Sequence, residues 1–87
     1  MNRDDIRNVL AEAFEVAKEE AVDPKLVQDA TKLREGLGID SLDVMEVVFE
    51  IEDRLRVKIS EEDMKGVETV GQVIDMVERK LAEKPGE

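Results

Sequence analysis

The sequence predicts an all-α protein, a small bundle of three main helices and one short helix. Apolar residues recur three and four positions apart in three separate segments, and proline or glycine lies between those segments. The chain contains two phenylalanines and neither tryptophan nor tyrosine, and such an aliphatic core suits packed helices better than an aromatic-rich β-sandwich. With 87 residues and no internal repeat, the chain is expected to form a single domain, 1–87.

The first predicted helix spans residues 3–20. Its apolar residues line one face, as in an amphipathic helix packed on a core: Ile6, Val9, Leu10, Ala13, Phe14 and Ala17. Pro24 opposes continuation of this helix. The segment 21–38 is predicted to be a long connection that is either functional or partly helical. Its apolar residues are expected to pack on the core: Leu26, Val27, Leu33 and Leu37.

The second predicted helix spans 40–55, and a short third helix is expected at 60–66. Asp40 is a suitable N-cap for the second helix because its carboxylate can accept a hydrogen bond from a free backbone N–H group. Asp43 follows three residues later, which approximates a capping box. The start of this helix is therefore well defined by the sequence.

The fourth predicted helix spans 69–83. Thr69 and Gln72 have the spacing of a capping box. Apolar residues then continue along one face of the helix, as expected for packing on the bundle core. The last four residues, 84–87, include a proline and a glycine and are expected to be frayed.

The second helix carries more than one kind of surface. At about 100° per residue, one face is apolar and sufficient for a core: Val44, Val47, Val48, Ile51 and Leu55. A second group, here called the apolar strip, falls outside that face: Leu42, Met45 and Phe49. A third group, here called the acidic ridge, contains no basic residue: Asp43, Glu46, Glu50 and Asp53. The arrangement fits either a wide core stripe beside a solvated face, or a docking surface for a basic partner.

Composition excludes several classes of function. The chain has 23 acidic and 13 basic residues, a formal net charge of −10, which disfavours binding to nucleic acids and to anionic membranes. Histidine and cysteine are both absent, so a Ser-His-Asp hydrolase within one chain and a thiolate metal site are excluded. No catalytic or metal-ligating set is predicted, and the acid spacing does not match a calcium-binding EF-hand. Without a transmembrane run or a signal-peptide pattern, a cytoplasmic location is expected.

Ser41 stands at the start of the second helix, beside free backbone N–H groups and the positive end of the helix dipole, which favour a phosphate ester. The segment Leu37-Gly38-Ile39-Asp40-Ser41-Leu42-Asp43 resembles the Leu-Gly-x-Asp-Ser-Leu signature of acyl carrier proteins. The similarity continues through MEVVFEIEDRLRVKIS (45–60) and ETVGQVIDMVERKL (68–81).

The resemblance implies the four-helix fold of that family and a function as a carrier rather than an enzyme. It implies that Ser41, flanked by Asp40 and Leu42, holds 4′-phosphopantetheine, whose thiol carries the acyl group as a thioester. The implied partners are a phosphopantetheinyl transferase and acyl-processing enzymes with basic patches, which a monomeric carrier would meet in turn. The residues that match the family's partner-recognition surface are Asp43, Met45, Glu46, Phe49, Glu50 and Asp53. Those that match its acyl-sheltering positions, with core packing as the alternative role, are Val48, Ile51, Ile59, Met64, Val67 and Val73.

Some residues depart from the commonest bacterial pattern of that family. Arg54, Arg56 and Lys58 place positive charge at the end of the second helix, and Lys32 and Arg34 add charge to the first connection. These residues suggest a specialised pathway rather than general fatty-acid synthesis. Two other functions stay open: a peptidyl or aminoacyl carrier with the same modified serine, and an acidic helical adaptor without a cofactor.

Overall fold

The computed structural model describes residues 1–83, and within them the chain forms five α-helices and one short 3₁₀ helix. The elements, in chain order, are α1 (Arg3–Lys18), the 3₁₀ helix (Pro24–Leu26), α2 (Leu33–Leu37), α3 (Ser41–Leu55), α4 (Glu61–Met64) and α5 (Val70–Glu83). No strand occurs in this range, and a single antiparallel bridge joins Lys32 to Thr69. The predicted all-α class is confirmed. The tail for which fraying was predicted, 84–87, lies outside the described residues.

Helix α1 begins and ends on local backbone signals. The Asn2 side chain accepts a hydrogen bond from the Asp5 backbone N–H (2.9 Å), and the Asp5 carboxylate accepts one from the Asn2 N–H (3.0 Å), which completes a capping box. The helix ends at Lys18 because Glu19 adopts a left-handed conformation with φ of 56°. The predicted helix, 3–20, was therefore two residues too long.

The connection between α1 and α3 is partly helical, one of the two outcomes predicted for it. Leu33 and Leu37 are buried and hold the five-residue α2 against the core, and Gly38 ends it with a φ of 67° that favours glycine. Val27 is buried as expected. Leu26 was expected to pack on the core but is 46 % exposed, because the core contact of this stretch is made by its neighbour Val27.

The later helices also begin at side-chain caps. Thr69 and Gln72 form the predicted capping box of α5, with Gln72 N to Thr69 Oγ1 at 3.2 Å and Thr69 N to Gln72 Oε1 at 3.0 Å. Ser60 caps α4 in the same way. Helix α4 ends at Met64, before the predicted limit of residue 66, because Lys65 adopts an extended conformation.

The core lies between α1, α3 and α5. The largest buried side chains contributed by these helices are Ile6, Leu10, Phe14, Ile51, Val70, Val73, Ile74 and Val77. Helices α1 and α3 run antiparallel: Glu12 of α1 pairs with Arg54 near the end of α3, and Lys18 donates to the carbonyl of Gly38 just before α3. The start of α3 is thereby exposed at one end of the bundle.

The segment before α2 is fixed to the start of α5 by backbone contacts. The Gly71 N–H donates to the Asp29 carbonyl (2.9 Å), and the Leu33 N–H donates to the Glu68 carbonyl (2.9 Å). A Cβ atom at Gly71 would lie 3.0 Å from that Asp29 oxygen, so glycine permits this close approach. Arg3 and Arg7 also bind the Asp29 carboxylate and hold its pKa below the ordinary value. The segment that leads into α2 is therefore anchored to the start of α5 and to α1.

Candidate functional site

Ser41 is the first residue of α3 and is exposed. The N-terminal cap is provided by its neighbour: the Asp40 carboxylate accepts a hydrogen bond from the Asp43 N–H at 2.9 Å, and the Asp43 carboxylate accepts one from the Asp40 N–H at 3.2 Å. The hydroxyl of Ser41 is consequently not needed for capping. Its Oγ lies 3.5 Å from Nη2 of Arg34, which extends from α2. Because it is exposed and free of a capping role, this hydroxyl is accessible to an enzyme.

A cavity of about 570 Å³ opens beside Ser41. One wall is the segment 32–35, the second is the first turn of α3, and the third is the segment 66–68. Leu33, Val44 and Val67 supply apolar lining, and the charged lining residues are Lys32 and Arg34 together with Glu35 and Glu68. A group attached to Ser41 would therefore lie beside apolar surface and charges of both signs.

The apolar strip lies outside the core. Leu42 is 72 % exposed, Met45 is 55 % exposed and Phe49 is 60 % exposed, whereas Val47 and Ile51 on the opposite face are buried. A wide core stripe therefore does not account for the strip. Three exposed large apolar side chains on one helix, beside a row of acids, have the composition of an interaction surface.

The acidic ridge is not electrostatically uniform. Arg54 Nε lies 3.0 Å from Glu50 Oε2, and Arg54 Nη1 lies 2.7 Å from Glu12 Oε1. The hydrogen bond with Glu50 raises the pKa of Arg54 above its ordinary value. Glu46 and Asp53 are exposed and form no ion pair with any residue in the range 1–83. The sequence places no basic residue within the ridge, but Arg54, four residues after Glu50, pairs with that acid from outside it.

The six residues that match acyl-sheltering positions do not surround one cavity. Ile51 and Val73 are each 1 % exposed and belong to the tightly packed core. Val48, Ile59, Met64 and Val67 are half-buried. Of the six, Val67 lines the cavity beside Ser41. The sheltering role of these residues stays a prediction.

Of the residues that line this cavity, the sequence predicted Ser41 and Val67 as site residues and missed the others, among them Leu33, Arg34 and Val44. Two of these three had a partial signal. Leu33 and Leu37 are four residues apart, which is the spacing of one helical turn but is too little on its own to identify a helix. Val44 follows Ser41 by three residues and therefore lies on the same side of α3. Arg34 could be assigned only after α2 was placed.

None of the helices formed by residues 1–83 is both long enough and apolar enough to cross a membrane.

Comparison with known proteins identifies the kind of site formed around Ser41. Residues 4–77 match the family model described as a phosphopantetheine attachment site. The chain is similar to the acyl carrier protein of Wolinella succinogenes, with 37 % identity over 75 residues that cover 86 % of this chain and 91 % of that protein. It is also similar to the acyl carrier proteins of Amoebophilus asiaticus (41 % over 64 residues, 74 % and 80 % of the two chains) and Thermotoga maritima (33 % over 66 residues, 76 % and 82 %).

Proposed function

The chain belongs to the acyl carrier protein family, and on this basis we propose that Ser41 carries its 4′-phosphopantetheine group through a phosphodiester bond. Members of this family are carriers and not enzymes, and 4′-phosphopantetheine is their prosthetic group. When attached, this group supplies the thiol on which an acyl group is held, which accounts for a carrier without cysteine. The observation that carries the proposal is the exposed Ser41 hydroxyl, relieved of capping by Asp40 at the start of α3.

The residues around Ser41 fit the prosthetic group. A phosphodiester needs cationic or N–H donors, and the Arg34 guanidinium lies 3.5 Å from Oγ. The nearby carboxylates of Asp40 and Asp43 accept hydrogen bonds from backbone N–H groups of the helix cap. The cavity of about 570 Å³ provides space beside the attachment point.

The proposed cargo is an acyl intermediate of a fatty-acid, polyketide or specialised lipid pathway. The residues from the first connection and the end of α3 that depart from the common pattern favour a specialised pathway. A cytoplasmic location and a monomeric state stay predictions from the sequence. A peptidyl or aminoacyl carrier would share the modified serine. An assay that compares transfer of acyl and aminoacyl groups onto the attached arm distinguishes these kinds of carrier.

The proposed docking surface comprises the acidic ridge and the apolar strip. A phosphopantetheinyl transferase or acyl-processing enzyme with a basic patch would place its cations on the ridge and an apolar contact on Leu42, Met45 or Phe49. The support for this surface is the exposure of the strip and the unpaired state, within residues 1–83, of Glu46 and Asp53. The net charge of −10 would accelerate the encounter with such a partner.

The proposed acyl shelter lies between α3 and the α4 region. Half-buried Val48, Ile59, Met64 and Val67 would line the entry, and Val67 already borders the cavity beside Ser41. Ile51 and Val73 lie deeper in the closed core. They would contact an acyl chain only after the helices separate.

The attachment at Ser41 is tested by intact mass. Incubation with coenzyme A and a promiscuous transferase should add one phosphopantetheine to the wild type and none to Ser41→Ala. Ser60 is the only other serine in the sequence, so Ser60→Ala is the matched control and should be modified like the wild type. An unmodified wild type, alongside a fully converted known carrier, would refute the proposed function and leave the acidic adaptor without a cofactor as the alternative.

A further inference from the structure

We propose that Arg34 is a phosphate-binding residue, whose guanidinium holds the phosphodiester at Ser41 and directs the attached arm into the adjacent cavity. The inference rests on the proposed attachment at Ser41 and adds a specific role for α2. From the sequence alone, Arg34 is an unusual positive charge in the first connection. The inference gives this residue a contact with the prosthetic group.

The position of Arg34 is set by the fold. Its backbone carbonyl accepts a hydrogen bond from the Gly38 N–H (2.9 Å), and the Ile39 N–H donates to the Leu33 carbonyl (2.9 Å), which closes the turn between α2 and α3. Leu33 is buried, and its own N–H donates to Glu68. Both ends of α2 are therefore anchored, and Arg34 Nη2 lies 3.5 Å from Ser41 Oγ.

The guanidinium of Arg34 is available for a ligand. Among the arginines, four are engaged in ion pairs: Arg3, Arg7, Arg54 and Arg79. Arg34 forms no ion pair with any carboxylate in the described part of the chain, although the protein has 23 acidic residues. The contact that the structure gives its side chain is with the hydroxyl that would carry the phosphate.

The chemistry of the two groups is complementary. A phosphodiester has two non-bridging oxygens that share one negative charge, and the planar guanidinium offers parallel N–H donors that match them. These oxygens are bonded to the phosphorus atom attached to Oγ, so they lie within reach of a guanidinium already beside Oγ. Charge-assisted contacts of this kind have N–O distances of about 2.7–2.9 Å, which a small side-chain rotation would reach.

The same contact would orient the arm. Arg34 and Lys32 lie on the cavity wall formed by 32–35, and Leu33, Val44 and Val67 supply the apolar lining. Lys32 Nζ is 3.5 Å from Glu35 Oε2, so its charge is partly offset and Arg34 is the stronger candidate for the phosphate. A phosphate held on the Arg34 side leaves the remainder of the arm next to the cavity.

The test uses full-length holo protein and phosphorus NMR. The ³¹P signal is recorded for the wild type, Arg34→Gln, Arg34→Lys and Arg56→Gln, with each holo protein unfolded in urea as the reference for an uncontacted phosphodiester. Arg56 is the matched control: it is exposed, lies at the other end of α3 and forms no ion pair within residues 1–83. Both glutamine variants change the net charge by the same amount. The Nε–Hε signals of Arg34 and Arg56 are compared before and after loading of the arm.

We expect the Arg34→Gln signal to shift toward the unfolded reference, the Arg56→Gln signal to coincide with the wild type, and the Arg34→Lys signal to lie between them. The Nε–Hε signal of Arg34 should shift on loading, and that of Arg56 should not. Coincident ³¹P signals in the wild type and Arg34→Gln, or equal shifts in both glutamine variants, would overturn the inference while leaving attachment at Ser41 intact. A wild type that accepts no arm gives no ³¹P signal and overturns the proposed function together with this inference.

Discussion

Replacement of Arg54 by glutamine should weaken the fold and improve docking at the same time. Arg54 joins two helices, because its guanidinium bonds Glu12 of α1 at 2.7 Å and Glu50 of α3 at 3.0 Å. It also places a cation beside Glu50 of the acidic ridge that is proposed to bind basic partners. A single substitution therefore removes a stabilising bridge and a repulsive charge.

The stability loss can be bounded from the exposure of the pairs. The Arg54 side chain is 35 % exposed, and ion pairs near the surface contribute about 0.2–1 kcal/mol each. Loss of both pairs should lower the free energy of unfolding by about 1 kcal/mol. For a domain of this size, that corresponds to a decrease in melting temperature of about 4–8 °C.

The expected gain in docking comes from removal of the Arg54 charge, which in the wild type lies beside Glu50. A partner cation bonded to the far side of the Glu50 carboxylate would lie about 6 Å from Arg54, where the repulsion in water is about 0.7 kcal/mol, equivalent to about threefold in rate. The effect should be largest at low ionic strength, because a Debye length of about 10 Å at 0.1 M salt already screens this distance in part.

The assay is the kcat/KM of arm transfer by a phosphopantetheinyl transferase, measured at low and high salt together with thermal melts. Arg79→Gln is the control, because Arg79 also pairs with acids (Asp63 at 3.2 Å) and its loss changes the net charge equally, but it lies on α5. Both variants should lose stability, and Arg54→Gln should show the larger increase in kcat/KM. Equal kcat/KM changes in the two variants would show that net charge alone governs docking. A decrease confined to Arg54→Gln would refute the repulsion argument.

Three further predictions concern docking, acid stability and the acyl chain. Glu46→Lys should slow arm transfer far more than Glu83→Lys at the end of α5, and equal slowing would mean that the ridge is not a binding site. The hydrogen bond from Lys80 (2.8 Å) holds the pKa of Asp63 well below its ordinary value, so this carboxylate contributes stability above about pH 4 that is lost as the pH falls further. Asp63→Asn should therefore be less stable than the wild type near pH 7, and the gap should narrow below about pH 4; a gap that does not change with pH would contradict this. Thioesters of increasing chain length should raise the free energy of unfolding by up to about 0.8 kcal/mol per sheltered methylene, and the melting temperature should rise with it. Amide shifts at Val67 should accompany this rise, whereas a flat series would place the acyl chain in solvent.

Most helix starts, and the end of α3 at Leu55, could be predicted from the sequence, whereas the ends of α1 and α4 could not. The starts of α3 and α5 depend on capping boxes, whose partners are three residues apart and visible in the sequence, such as Asp40 with Asp43. Helix α1 ends at Lys18 because the next residue, Glu19, has φ of 56°. Glycine and asparagine are the usual signals for this conformation, and neither is present at that position.

Helix α2 was not predicted as a separate helix. It has five residues, too few for the apolar periodicity that identified the longer helices. Its stability depends on tertiary contacts: Leu33 and Leu37 are buried, and the preceding segment approaches Gly71 closely. Such contacts become evident only after α5 is placed.

The exposed face of α3 could be predicted, because helical spacing alone separates the apolar strip from the core face. The contacts that charged residues make around that face could not be predicted. Arg54 bonds Glu12 across 42 residues of sequence, and Arg34 approaches Ser41 only because α2 turns back beside α3. Local periodicity places residues on the faces of one helix, whereas ion pairs between helices depend on how the helices pack.

Two opposite electrostatic requirements meet at the start of α3. A net charge of −10 attracts a basic enzyme, but the same charge opposes the delivery of an anionic phosphate to Ser41. Arg34 would ease this conflict locally, because its guanidinium lies 3.5 Å from Ser41 Oγ while Glu46 and Asp53 stay exposed on the docking side. On this view the role of a basic residue depends on its position: Arg34 favours the reaction at Ser41, and Arg54 weakens the surface that brings the enzyme there. The two arginines should therefore respond oppositely to glutamine substitution in the same transfer assay, with Arg34→Gln slower than the wild type and Arg54→Gln faster.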